Sequence, residues 1–449
     1  EAVLNGDASV SLATVLDLDA LFGRSSTNAA CYGPSVAYAS HQDSAGGTGA
    51  GVLPTGDLGL WVATDPDSGQ PCAVAQVDRR VDSARDQGRQ ALLVAALMRG
   101  VVARTATLAL PAAGASLDLS TELGTALSAA LGSGAPGVGA ASLALDSAGS
   151  VYTYRLVLTQ GSGADARRGE LILRHTPGSS DTAYSGTLQV AGFSLDNDAA
   201  FGCTDEVDAG SGRFKVARIS TLAYQRDASR LSFGSRSAQY CGHPDGSGSD
   251  DGAQVAALTA DAQLDPATAL TGTSRGGAKG WRGNFTRYAA DYDADTGAGD
   301  FLLAWQAGTG DSHARAMAAH ADVDGSGNLG LEAWYAYAAD IASTSGDLLG
   351  MICNWAGPGN SHSPVLAFQS QRATLAAGGS SFSLDSSLIA YAPTLSCSST
   401  TTSYDADADG VLAAGEGVGQ VASLDAPTGG RTTVAAELVS RGYTAPGRF

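Results

Sequence analysis

Lysine is almost missing from this chain: Lys215 and Lys279 are the only two among 449 residues. Charged side chains make up 16% and aromatics 6%, so small residues, with 59 Gly among them, must fill much of the volume. No CxxC occurs, which removes zinc ribbons and thioredoxin-like redox sites, and no CxxCH occurs, which removes conventional c-type haem attachment. The six histidines form neither HxH nor HExxH, so zinc chemistry has no anchor. Positive charge is scarce as well. Against 45 acidic residues stand 26 basic ones, a net charge of −19. Nucleic acid and anionic membrane surfaces are therefore poor partners, and cations are the natural counter-charge. A long uncharged run, 123–145, is broken by Gly132, Gly134, Pro136, Gly137 and Gly139, so no transmembrane segment is expected. A hydrophobic content of 44% excludes wholesale disorder.

What is present begins with the cysteines. Cys31 and Cys72, Cys203 and Cys241, and Cys353 and Cys397 form three couples separated by 41, 38 and 44 residues. Fifteen pairings are possible, and sequential closure is the simplest. Each such bond would close a loop of about 40 residues, worth about 3–4 kcal/mol in the chain-entropy model. Disulfides follow oxidising compartments, and the chain starts at Glu1 rather than Met. The expectation is an exported protein, extracellular or on the cell surface, whose leader has been removed.

Hydropathy patterning predicts a β-rich chain of antiparallel meander or sandwich units with a few helices, multi-domain and disulfide-containing. Three parts are expected. Residues 1–115 form an N-terminal β unit plus an amphipathic helix, 116–300 a central antiparallel β domain, and 301–449 a β-rich part with two calcium-type loops. Val10, Leu12, Thr14, Leu16 and Leu18 alternate as in a half-buried strand. From Asp78 to Arg99 the apolar spacing turns helical, and Ser120–Leu131 reads as a second helix with Ser120 as its cap. The segments 150–160, 170–175, 187–193 and two within 217–233 read as strands, and 284–291 with 300–307 as a hairpin. Residues 312–321 and 332–341 read as helices flanking an acidic loop, and strands return around 364–370 and 381–391. Leu222-Ala-Tyr-Gln225, Leu303-Ala-Trp-Gln306 and Leu366-Ala-Phe-Gln369 form a faint repeat. Strand alternation puts Leu and the aromatic on one face.

The acidic loops carry the chemical signal. Asp405, Asp407, Asp409, Gly410, the carbonyl of Val411, Leu412 and Glu416 fit DxDxDGxLxxxE. Calcium takes six to eight hard oxygens, and these positions supply carboxylates at 1, 3, 5 and 12, a carbonyl at 7 and a turn glycine at 6. The twelve residues resemble the EF-hand loop, in the isolated form found in extracellular proteins. The resemblance implies Ca2+ as ligand and extends no further along the chain. Asp322, Asp324, Ser326, Asn328 and Glu332 resemble a second such loop, with the carboxylate at position 11 instead of 12. Asp291, Asp293 and Asp295 have the spacing but lack the glycine and glutamate, and fit an acidic hairpin better.

Gly272-Thr-Ser274-Arg-Gly276 matches the GxSxG nucleophile elbow, with Asp291 or Asp311 and His313, His320 or His362 downstream. The elbow needs a buried strand before it and a helix after it. Pro266 and the glycines at 276, 277, 280 and 283 disfavour both, which leaves Ser274 a weak candidate. Asn284-Phe-Thr286 is a glycosylation sequon, and Trp281, Trp305, Trp334 and Trp355 could line a sugar platform. The leading functional expectation is a calcium-stabilised structural or adhesive surface protein that pairs with itself, as a homo-polymer, or with other surface components. It is more a scaffold than an enzyme. A secreted carbohydrate-binding or degrading protein is the alternative, and a Ser-dependent hydrolase comes third.

Overall fold

The computed structural model describes Cys31 and residues 63–161, 167–196, 207–241, 285–306, 314–338 and 365–392, together with short strands at 37–38, 51–52, 347–348, 351–352, 397–398, 401–404, 417–418 and 432–433. Two compact units divide the chain, one within Asp82–Asn284 and the other made of Ser26–Val81 with Phe285–Arg448. A 33-residue helix, α1 (Cys72–Arg104), gives its first ten residues to the second unit and the rest to the first.

In the first unit, strand β1 (Ser116–Asp118) and helix α2 (Ser120–Leu131) precede six long strands. These are β2 (Gly137–Leu145), β3 (Tyr152–Gln160), β4 (Arg167–Ser180), β5 (Ala183–Asp196), β6 (Phe214–Asp227) and β7 (Arg230–Cys241). Each pairs antiparallel with its chain neighbour, an up-and-down meander. One face buries Tyr154, Leu156, Leu171, Leu173, Leu188, Val190 and Leu222 at alternate positions. Helix α1 packs on this face. Ala84, Ala91, Ala95, Met98 and Val102 are buried at helical spacing, while Asp82, Arg85, Asp86 and Arg89 stay in water. Its polar Gln87 is buried too, and its amide donates to Ser220 Oγ at 2.7 Å. Helix α2 buries Leu123 and Leu127, and Leu119 just before it is buried as well. Ser120 does not cap it; Leu119 holds that position. The Ser120 hydroxyl instead donates to Asp118 at 2.6 Å and accepts from the Ala141 N–H at 2.9 Å, tying the helix start to β2.

The second unit repeats the meander with β8 (Phe285–Asp293), β9 (Gly299–Gln306), β10 (Ala314–Val323), β11 (Leu329–Ala338), β12 (Val365–Leu375) and β13 (Ser383–Ala392). The hairpin expected over 284–307 is there. The two helices expected over 312–321 and 332–341 are not: those stretches hold β10 and β11, opposite each other from Ala314↔Ala338 to Val323↔Leu329. Alanine-rich composition favours a helix locally. The alternation Met317, Ala319, Ala321, however, buries one face against Leu331 and Ala333 of the next strand, and tertiary pairing overrides propensity.

That same face carries Tyr288, Ala290, Tyr292, Phe301, Leu303 and Ala373, all buried, and Gln371. The Gln371 side chain explains where α1 begins. Its Oε1 accepts the Ala73 N–H at 2.7 Å, one of the orphan donors of a helix N-terminus, and its Nε2 donates to the Ala63 carbonyl at 3.0 Å. At the far side, β13 pairs with β12 alone among the described residues, and its residues 383–387 are exposed.

Candidate functional site

The acidic stretch 322–332 forms the β10–β11 turn. Asp324 aims its carboxylate inward: Oδ1 accepts the N–H groups of Ser326 and Asn328 at 2.8 and 2.9 Å, and Oδ2 accepts Asn328 Nδ2 at 2.9 Å. These donors, the Asn328 side chain first, hold its pKa below the usual carboxylate value. Asn328 Oδ1 in turn accepts the Ala377 N–H at 3.0 Å, and Asp322 accepts the Val323 N–H. Glu332 lies on β11, away from the turn. Calcium at this loop would have to exchange these bonds for its own.

The same chemistry recurs elsewhere. Asp65, Asp208 and Asp293 each open a turn of the form Asp-X-X-Ser/Thr-Gly. In all three the aspartate carboxylate accepts the backbone N–H and hydroxyl of Ser68, Ser211 or Thr296. The glycine N–H donates to the aspartate carbonyl at 2.8 Å, with Gly69, Gly212 and Gly297 at φ of 70°, 69° and 80°. Aspartate supplies a backbone-mimicking acceptor and glycine the left-handed residue, so the acidic spacing here is turn chemistry. Sequence reading missed this pattern, although it stands plainly in three places.

Glu332 belongs to a row of ionisable side chains that crosses the second unit on the face opposite Gln371. Asp291, Asp300, His320, Glu332 and Arg372 stand opposite one another on β8, β9, β10, β11 and β12. Asp300 is only 4% exposed, and its Oδ1 meets His320 Nδ1 at 2.7 Å. Arg372 donates through Nε and Nη2 to Glu332 Oε1 at 3.0 and 2.7 Å. A carboxylate that orients an imidazole is the supporting half of an acid–base device, and the Arg372–Glu332 pair sets unlike charges opposite each other on β12 and β11. Among the described residues, no three His, Cys, Asp or Glu side chains come close enough together to hold a metal.

A third cluster lies where α1 starts. Cys31 and Cys72 meet as free thiols with no exposed surface. The Cys31 thiol donates to the Cys72 carbonyl at 3.5 Å and the Cys72 thiol to the Cys31 carbonyl at 3.4 Å. The hydrogen bond with Cys31, followed by burial, pushes the Cys72 thiol far above its ordinary value. Arg79, two turns into α1, places Nη1 3.9 Å from Cys31 Sγ and Nη2 2.7 Å from Asp65 Oδ2. Burial of Asp65 opposes its ionisation. The bonds from Ser68 and Arg79 outweigh that and hold its carboxyl below the usual value.

The loop 405–416 with Asp405, Asp407, Asp409, Val411 and Glu416, the candidate Ser274, and Asp311, His313, His362, Cys203, Cys353, Trp281 and Trp355 lie outside the described residues, as does the alternating stretch Val10–Leu18. Cys241 ends β7 and Cys397 lies in a two-residue strand. Trp305 and Trp334 are on β9 and β11. Among the described residues, no helix is long and apolar enough to cross a membrane. No protein-family model, no curated protein and no solved structure matches the chain.

Proposed function

We propose that this chain is an exported structural or adhesive protein of the cell surface, disulfide-closed, stabilised by calcium at Asp405–Glu416, and self-associating through its strands. The observation that carries the reading is the edge strand β13. It is ten residues long and pairs only with β12 among the described residues, with Ser383, Leu384, Asp385, Ser386 and Ser387 exposed. Such an edge offers a row of backbone donors and acceptors to another strand. The alternating segment Ala8–Asp19 has the pattern of a strand suited to addition at such an edge, on its own chain or a neighbour's. Scarce lysine and abundant Gly, Ala and Ser suit close-packed, protease-resistant surfaces.

Deleting residues 1–19 tests the reading. The truncated protein should keep the melting temperature of the full chain and lose its ability to form large particles. A truncated protein that melts markedly lower, at unchanged particle size, would assign the segment to its own sheet and remove the basis for assembly.

A further inference from the structure

We infer that Cys31 and Cys72 are a thiol–disulfide lock on the start of α1, with Cys31 as the attacking sulfur and Arg79 as its positioning residue. The inference deepens the export reading above, since an oxidising compartment supplies the chemistry. Several observations converge on one place. The two cysteines are 41 residues apart in sequence yet each sulfur touches the other's backbone carbonyl. Both are fully buried, so a bond formed between them is shielded from reductants. Cys72 is the first residue of α1, and the segment before it is already fixed by the Asp65–Gln70 turn, with the Cys72 N–H donating to Ala63 at 3.2 Å. Arg79 reaches one sulfur only, that of Cys31, and is itself aimed by Asp65. The guanidinium N–H therefore orients the Cys31 sulfur for attack.

The step balances with a small-molecule disulfide such as oxidised glutathione. The Cys31 thiolate attacks one sulfur of that disulfide, forming a mixed disulfide and releasing one glutathione thiolate, which takes up a proton. Cys72 then loses its proton and attacks the Cys31 sulfur. The Sγ–Sγ bond forms, the second glutathione leaves as thiol, and two electrons have passed from the cysteine pair to the oxidant. Because both sulfurs are buried once the fold is complete, the exchange takes place during refolding, as Arg79 and Cys31 come together.

The test uses the full chain refolded in oxidised glutathione. Trypsin leaves both cysteines in one fragment, Ser25–Arg79, so cleavage before Asp43 and Asp57 is used to separate them. The expected result is a Cys31–Cys72 linked peptide that disappears on reduction. In C72S, glutathione should remain attached to Cys31; in C31S, Cys72 should stay unmodified. In R79Q the rate of linkage should fall several-fold, while the linked product is unchanged, and R79K should recover part of that rate at an unchanged melting temperature. The wild-type map needs no variant to fold, and it overturns the lock if Cys31 and Cys72 remain free or pair with any other cysteine. Trapping on Cys72 instead of Cys31 overturns the order of attack, and an unchanged rate of linkage in R79Q overturns the role of Arg79. Refolding is done in a defined buffer, so a positive map stands even if surface labelling of intact cells refutes export.

Discussion

At the scale of single residues, Gly186 shows a clear requirement for a missing side chain. His175 Nδ1 and the Tyr224 hydroxyl meet at 2.9 Å across β5, whose residue between them is Gly186. A Cβ at that position would overlap the Tyr224 hydroxyl and lie 2.6 Å from the Arg174 carbonyl. Gly186→Ala should therefore destabilise the first unit by about 1–3 kcal/mol, the usual cost of overpacking, and displace Tyr224. Chemical denaturation together with the His175 and Tyr224 ring resonances would check this. Asp65 makes a pH prediction. Its folded pKa lies below the ordinary value of 3.8. Its stabilisation is thus fully present above the ordinary carboxylate range and is lost as pH falls through the lower, folded value. Asp65→Asn should lower stability at neutral pH and flatten its decline below about pH 4. Melting temperatures of both proteins across that range would measure the difference.

At the scale of elements, α2 is found over Ser120–Leu131 as the apolar spacing predicts, and the β8–β9 hairpin likewise, because in both the pattern that buries one face is local. Helix α1 is longer than Asp78–Arg99 at both ends. Its start is set by Gln371, 298 residues away, and no local signal reports that. The ionisable row was invisible for the same reason. The sequence offers Asp291 and His320 as partners of Ser274 and Glu332 as a calcium ligand, but only strand register puts Asp300, His320, Glu332 and Arg372 side by side. Calcium and backbone N–H groups attract the same carboxylates, so acidic spacing alone does not separate a metal loop from an Asp-opened turn. The cysteine spacing predicts a Cys31–Cys72 bond; the structure places the two side by side as free thiols. Gln371→Leu should leave the Ala73 N–H without a partner and the Ala63 carbonyl with the Cys72 N–H alone, at a cost of about 1–3 kcal/mol. Hydrogen exchange at Ala73 and its neighbours should then accelerate, with the distal end of α1 unaffected.

For the whole molecule, two antiparallel meanders and a charge of −19 describe a chain whose stability ought to respond to cations. Binding at Asp405–Glu416 would neutralise four carboxylates within a few ångströms. Asp405→Ala and Glu416→Gln should each lower the melting temperature in calcium and leave it unchanged in chelator; an unaltered calcium response in both would exclude that loop. Self-association is the central claim, and sedimentation velocity of the full-length protein over a wide concentration range, with calcium and with chelator, tests it most directly. The account predicts species much larger than 44.8 kDa that grow with concentration. A single monomeric boundary at every concentration in both buffers would contradict it.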